Sequence, residues 1–336
     1  MILSSSPTSI LVLAMNERTA NPSRRKIGLA LGSGLARGWA HIGVIRGLKR
    51  LGLEPDIIAG ASIGAVVGGL YLADKLDELE QWALQLNKKK IINFLDLRIR
   101  TGGLIGGEKV TDEIRRYVGE TKIEDLGHPF TAVATDLVTG HEVWLQKGSI
   151  VDAMRASFAM PGVFTPVKMH GRWLLDGALV NPVPVAACRA LGADMVIAVN
   201  LNSDIIGKSR KQGSSIPTAA GFDLLKMIDQ TGDEGAPTVD SLSRRIFRRE
   251  SDAPSLFGVM VATLNIMQDR ITRSRMAGEP PDVMIAPRLG NVGLLEFDRA
   301  EDAIAEGELA VSRVRPEIAD ALSVLAQTVV SEESDS

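Results

Sequence analysis

The sequence predicts an α/β protein with a central, mainly parallel sheet covered by helices on both faces. Two runs carry this expectation. Ile27-Gly28-Leu29-Ala30-Leu31 and Ile57-Ile58-Ala59-Gly60 are apolar without alternation, as strands buried on both faces must be. Each leads into a stretch of helical character, and a strand–helix–strand–helix order folds most simply into a covered parallel sheet. In the first helix Val44, Ile45, Leu48 and Leu51 share a face, and Gly52 closes it. The second, from Ile63 to Ala73, has no polar face and belongs in the interior.

The remaining elements follow in order. Phe130 to Leu137, Val143 to Leu145, Trp173 to Leu175, Met195 to Leu201 and Val283 to Ile285 read as strands, and residues 74–87, 108–118, 149–157, 183–191, 256–275 and 298–325 as helices. Residues 1–24 are rich in Ser, Thr and Asn and aperiodic, the pattern of a disordered leader. Residues 203–254 turn to Gly, Ser, Pro, Asp and Arg, the pattern of a mobile insertion or flap. This divides the chain into a leader, a catalytic domain over 25–202, the insertion, and a helical extension over 255–330 that completes the domain.

Composition narrows the function. Of 336 residues, 45% are hydrophobic, 24% charged and 4% aromatic, with a net charge of −3, which excludes a broad grip on nucleic acid. The single cysteine, Cys188, excludes an internal disulfide and suits a reducing compartment. The apolar stretch Ile10 to Met15 is too short for a secretory signal, and no run approaches the ~20 residues of a membrane span. The expected location is therefore the cytoplasm, with any membrane contact peripheral, on its inner surface. Arg244-Arg245-Ile246-Phe247-Arg248-Arg249, which interleaves cations with apolar side chains, is the candidate contact.

Gly60-Ala61-Ser62-Ile63-Gly64 lies between the second strand and the apolar helix. A G-x-S-x-G in that context forms a tight elbow that exposes the serine hydroxyl, and Gly60 and Gly64 are small because a Cβ there would clash. The helix then directs its amino-terminal dipole at an oxyanion. Gly32-Ser33-Gly34-Leu35-Ala36-Arg37-Gly38 follows the first strand in the same way and presents successive backbone N–H groups to an anion. A dinucleotide-binding oxidoreductase is the rival reading. It requires a third glycine where Arg37 stands and an acid after the second strand, whereas Glu54 and Asp56 precede it.

A serine nucleophile needs a base. The four histidines, His41, His128, His141 and His170, all precede Asp176, so Asp176 cannot head a serine–acid–histidine order, although Asp136 or Asp152 with His141 or His170 stays open. Asp176 itself ends a short strand and precedes Gly177, where a carboxylate can approach a serine closely.

Taken in order, the Gly32–Gly38 loop, the Gly60–Gly64 elbow and Asp176-Gly177-Ala178 resemble the patatin-like phospholipase family. Ala156 to Pro166 is similar to the block before that family's aspartate. The tail from Ile271 to Gly290 resembles the bacterial branch related to neuropathy target esterase. The resemblance covers about residues 26–202 and implies a three-layer patatin-like fold. It further implies a Ser62–Asp176 dyad, an oxyanion hole from Gly32, Ser33, Gly34, Leu35, Arg37 and Gly38, no metal or other cofactor, and lipid or lysolipid esters as substrates. The second rival is a non-catalytic regulator that binds lipid or protein on the same fold. With an ordinary carboxylate as base, pKa ~4, the expected pH profile is flat through ~6.5, the region where a histidine base would titrate.

Overall fold

The computed structural model describes residues 25–94, 103–105, 107–204 and 256–334. The leader and the insertion, apart from Ser203 and Asp204, lie outside the described residues, as does the Arg244–Arg249 run. The strands are β1 (Ile27–Leu31), β2 (Ile57–Ala61), β3 (Gly103–Ile105), β4 (Phe130–Asp136), β5 (Glu142–Leu145), β6 (Gly162–Phe164), β7 (Val167–Met169), β8 (Arg172–Asp176), β9 (Met195–Val199) and β10 (Val283–Ile285). The helices are α1 (Ala40–Arg50), α2 (Ile63–Leu72), α3 (Leu76–Leu84), α4 (Lys88–Phe94), α5 (Glu108–Val118), α6 (Ile150–Ser157), α7 (Val185–Ala190), α8 (Leu256–Gly278), α9 (Ala300–Arg313) and α10 (Arg315–Ser334).

The main sheet runs β10-β9-β1-β2-β4-β8-β7, with β5 also on β4. From β10 to β4 every pairing is parallel, and β1, β2, β4 and β9 are buried along their whole length, as unbroken apolar runs require. The pleat then divides the side chains between two cores. Leu29, Leu31 and Ile58 pack with α1 and α2 in the larger core. Ala30, Ala59 and Ala198 face α7, whose Ala187 and Cys188 join them in a second, smaller core. Small residues on that face let α7 lie close to the sheet, giving the three layers. Each fully buried leucine or isoleucine contributes roughly 1.5–3 kcal/mol.

Some elements differ from the sequence expectation. Strand β7 and the β3–β6 ladder, all three residues long, were not expected, and neither was α4. The helix expected over 298–325 is two helices, because Pro316 has no N–H to extend α9 and its ring crowds the preceding turn. Strand β10 joins the sheet, and α9 packs against α1, so the carboxyl-terminal segment is built into the same core.

The arrangement around β4 positions the site. Strand β2 pairs with Phe130–Val133 and ends at Ala61. Strand β8, antiparallel to β4, takes Ala134–Asp136. Because β5 occupies the other edge over Ala132–Thr135, β2 and β8 must share one edge of β4 and meet end to end. The residues at that junction are Ser62 and Asp176.

Candidate active site

Ser62 links β2 to α2 with φ +57° and ψ −124°, a region that residues with a Cβ avoid and that costs about 1–3 kcal/mol. Its surroundings hold it there. Ser62 N–H donates to Ser157 Oγ at 2.9 Å, and Ser157 Oγ–H donates to Val133 O at 2.6 Å, tying the elbow to β4. The glycines on either side are needed for space: a Cβ on Gly60 would lie 2.4 Å from Ala65 N, and one on Gly64 would lie 2.1 Å from Leu31 O.

Across the strand junction, Ser62 Oγ–H donates to Asp176 Oδ2 at 2.7 Å. The other carboxylate oxygen accepts from Ala178 N–H at 2.8 Å, and Asp176 O accepts from Thr135 Oγ1 at 2.8 Å, so the side chain has one orientation. Both residues are buried, 2% and 1% exposed. Burial pushes the Asp176 carboxyl up to about 7, against the opposing pull of the hydrogen bonds from Ala178 and Ser62. This corrects the expectation of an ordinary carboxylate that is fully ionised at neutral pH. A carboxyl with a pKa of about 7 changes charge near neutrality, within the range where a flat profile was expected.

The Gly32–Gly38 loop lies beside this pair, and its hydrogen bonds divide its amides into two sets. Gly32 N–H donates to Val199 O, Ser33 N–H to Pro182 O, Ala36 N–H to Leu294 O and Arg37 N–H to Gly34 O. The Gly34 and Leu35 amides have no acceptor among the described residues, and Leu35 sits at φ +49°, a second strained backbone at the same place. Gly38 lies inside the 3-10 turn Leu35–Trp39, so among the loop residues singled out in the sequence Gly34 and Leu35 are the two with an N–H to offer an anion. Arg37 is buried at 2% exposure and its Nε–H donates to Val292 O; it braces the loop, and burial lowers its pKa to about 10. The acid that a dinucleotide site would need is elsewhere: Asp56 caps the amino end of the sheet, accepting from Ile27 N–H.

The patatin-like phospholipase model matches residues 29–189. An NTE family protein of Mycobacterium tuberculosis is 38% identical over 328 residues, covering 86% of this chain and 91% of the relative. The chain belongs to the patatin-like phospholipase family, in its NTE branch. Lysophospholipase nte1 of Emericella nidulans is 33% identical over 185 residues, 53% of this chain but 12% of that much longer protein. The crystal structure of VipD from Legionella pneumophila is similar with a TM-score of 0.46 and 14% identity, covering 87% of this chain and 67% of that one.

An apolar cavity of about 110 Å³ is bordered by Ser62. Leu35, Val66, Leu79, Trp82, Ile114 and Phe164 are among its walls. Glu113 also lines it, but its carboxylate is engaged by Arg116 at 2.6 Å and by Tyr117 Oη–H at 3.2 Å. An enclosed apolar cavity of ~150 Å³ can stay dry and bind a small hydrocarbon.

No histidine makes a hydrogen bond to Ser62 or Asp176 among the described residues. His128, His141 and His170 are exposed. His41 is fully buried on α1, and its Nε2 lies 2.7 Å from the Gly32 carbonyl. Desolvation lowers its pKa to about 4, so it is neutral above that pH and holds the loop as a donor. Among the described residues no helix is long and apolar enough to cross a membrane.

Ser157, which braces the elbow, carries no sequence signal of that role. Its neighbourhood stood out only as part of the Ala156–Pro166 block, with no role attached.

Proposed function

We propose that this chain is a serine acyl hydrolase that cleaves fatty-acyl esters of lipids, with Ser62 as nucleophile and Asp176 as its base. The observation that carries the reading is the 2.7 Å Ser62–Asp176 hydrogen bond at the edge of an apolar cavity. Ser62 Oγ bonds to the acyl carbon while its proton passes to Asp176. The carbonyl oxygen becomes an oxyanion that accepts from the Gly34 and Leu35 amides, each donor contributing about 3–4 kcal/mol. Collapse of the adduct expels the alcohol, which takes the proton from Asp176. Water then adds to the acyl-enzyme and gives a proton to Asp176. The fatty acid leaves as Ser62 regains that proton. One relative's name, lysophospholipase, supports a monoacyl lipid as substrate, and the apolar cavity bordering the serine supports an acyl chain beside it.

The acyl-chain assignment is tested by narrowing the cavity. Ile114→Trp should lower kcat/KM for a palmitoyl ester at least about tenfold, while a butyryl ester is cleaved at nearly the wild-type rate, because ~0.8 kcal/mol is lost per methylene excluded. Equal losses on both esters would mean that the chain lies elsewhere.

The base assignment sets a pH dependence. Asp176 must be ionised to accept the proton, so kcat/KM should fall as pH drops through about 7 and level off above it. The same profile should persist in His128→Gln, His141→Gln and His170→Gln, each with activity within about twofold of wild type. His41→Gln keeps a donor for Gly32 and should stay within about tenfold. A profile that moves in any exposed-histidine variant would make that histidine the base.

A further inference from the structure

The amides proposed to hold the oxyanion are only as well aimed as the peptide units that carry them. A peptide is planar and trans, so its N–H and C=O point in opposite directions. Fixing a carbonyl therefore aims the amide of the next residue. The loop uses this three times: the Gly32 carbonyl faces His41 Nε2, the Ser33 carbonyl accepts from Asn202 Nδ2 at 3.3 Å, and the Gly34 carbonyl accepts from Arg37 N–H. The last two units carry the Gly34 and Leu35 amides.

Within that set, Ser33 is held from outside the loop on every side. Its N–H reaches Pro182 O, its carbonyl faces Asn202, and its hydroxyl donates to Gln268 Oε1 at 3.2 Å. Asn202 is 3% exposed and Gln268 4% exposed. Asn202 is itself oriented by its own N–H, which donates to Asn200 Oδ1 at 3.0 Å. Its Oδ1 has no partner among the described residues, so the side chain is buried for what its amide group donates. Both residues lie beyond the segment that matches the family model, Asn202 just after β9 and Gln268 on α8.

We infer that Asn202 and Gln268 are positioning residues for catalysis: they fix the Ser33–Gly34 peptide and thereby aim the Gly34 amide at the reacting carbonyl oxygen. The inference rests on the acyl-transfer reading of Ser62. The oxyanion exists in the transition state and not in the bound ester, so misaiming its donor lowers kcat and leaves KM in place.

Asn202→Leu keeps the shape, removes the donor and also removes the unpartnered Oδ1. It should lower kcat about tenfold to a hundredfold, short of the ~10²–10³-fold for deleting a donor outright. KM and the Tm should change little, and the rate of fluorophosphonate inactivation should fall in parallel with kcat, because the phosphoryl oxygen occupies the same hole. Gln268→Leu, which frees the Ser33 hydroxyl, should show the same pattern to a smaller degree and serves alone if Asn202→Leu does not fold. Folded variants with kcat within twofold of wild type, or with the loss confined to KM, overturn the inference. If Ser62→Ala is inactive in the same assay, only the positioning role has failed; if Ser62→Ala stays active, the acyl-transfer reading fails first.

Discussion

Ser62→Ala is expected to abolish ester hydrolysis, a loss of about 10⁵–10⁶-fold in kcat by analogy with serine hydrolases lacking their nucleophile. The reason is that Ser62 Oγ is the hydroxyl that donates to Asp176 Oδ2, at the strained turn between β2 and α2. Folding should survive. The variant loses one hydrogen bond to a carboxyl group, about 1–3 kcal/mol, and keeps the strained φ of +57°. Ser62→Gly supplies the control. It is just as inactive, but glycine adopts that φ without strain, so its Tm should exceed that of Ser62→Ala. Ester turnover by either variant at a hundredth of the wild-type rate, measured by fatty-acid release, would remove Ser62 from the chemistry.

Asp176→Asn should have the second-largest effect, a fall of about 10⁴-fold in kcat, since an amide cannot take the serine proton at neutral pH. The substitution is nearly isosteric, and the Oδ1 that accepts from Ala178 N–H is retained. Its effect on stability should have the opposite sign. The folded-state pKa of about 7 lies above the unfolded value of ~3.9. The native state therefore binds the proton more tightly. The stability of the protonated form is fully present below pH ~4 and is lost as pH rises through about 7. A shift of about three units corresponds to roughly 4 kcal/mol. Asparagine does not titrate, so the Tm of Asp176→Asn should gain on that of wild type as pH is raised from 4 to 8. A gap that stays constant across this range would show that Asp176 is not held in a desolvated site.

Much of this was legible in the sequence, for reasons that differ by element. The runs at 27–31 and 57–60 could be read because strands buried on both faces leave no polar residue in the text. The elbow and Asp176-Gly177 could be read because tight turns demand glycine at fixed offsets. The end-to-end meeting of β2 and β8 could not, since it depends on which edge of β4 each strand takes, and no local pattern records that. Strands of three residues such as β6 and β7 show too little periodicity to register. Ser157, Asn202 and Gln268 act on residues 95, 169 and 235 positions away, and a buried polar side chain of that kind looks like any other until its partner is placed beside it. The pKa of Asp176 is likewise a property of burial, which is why an ordinary value was expected and a raised one found.

The central claim, that Ser62 is the nucleophile and Asp176 its base, is tested most directly by fluorophosphonate labelling of the whole protein followed by peptide mapping. One adduct is predicted, on Ser62. It should form at a rate that falls as pH drops through about 7, be slowed by orders of magnitude in Asp176→Asn, and be absent from Ser62→Ala. An adduct on any other residue of the active protein, or labelling of Ser62 that is indifferent to Asp176→Asn, would contradict it.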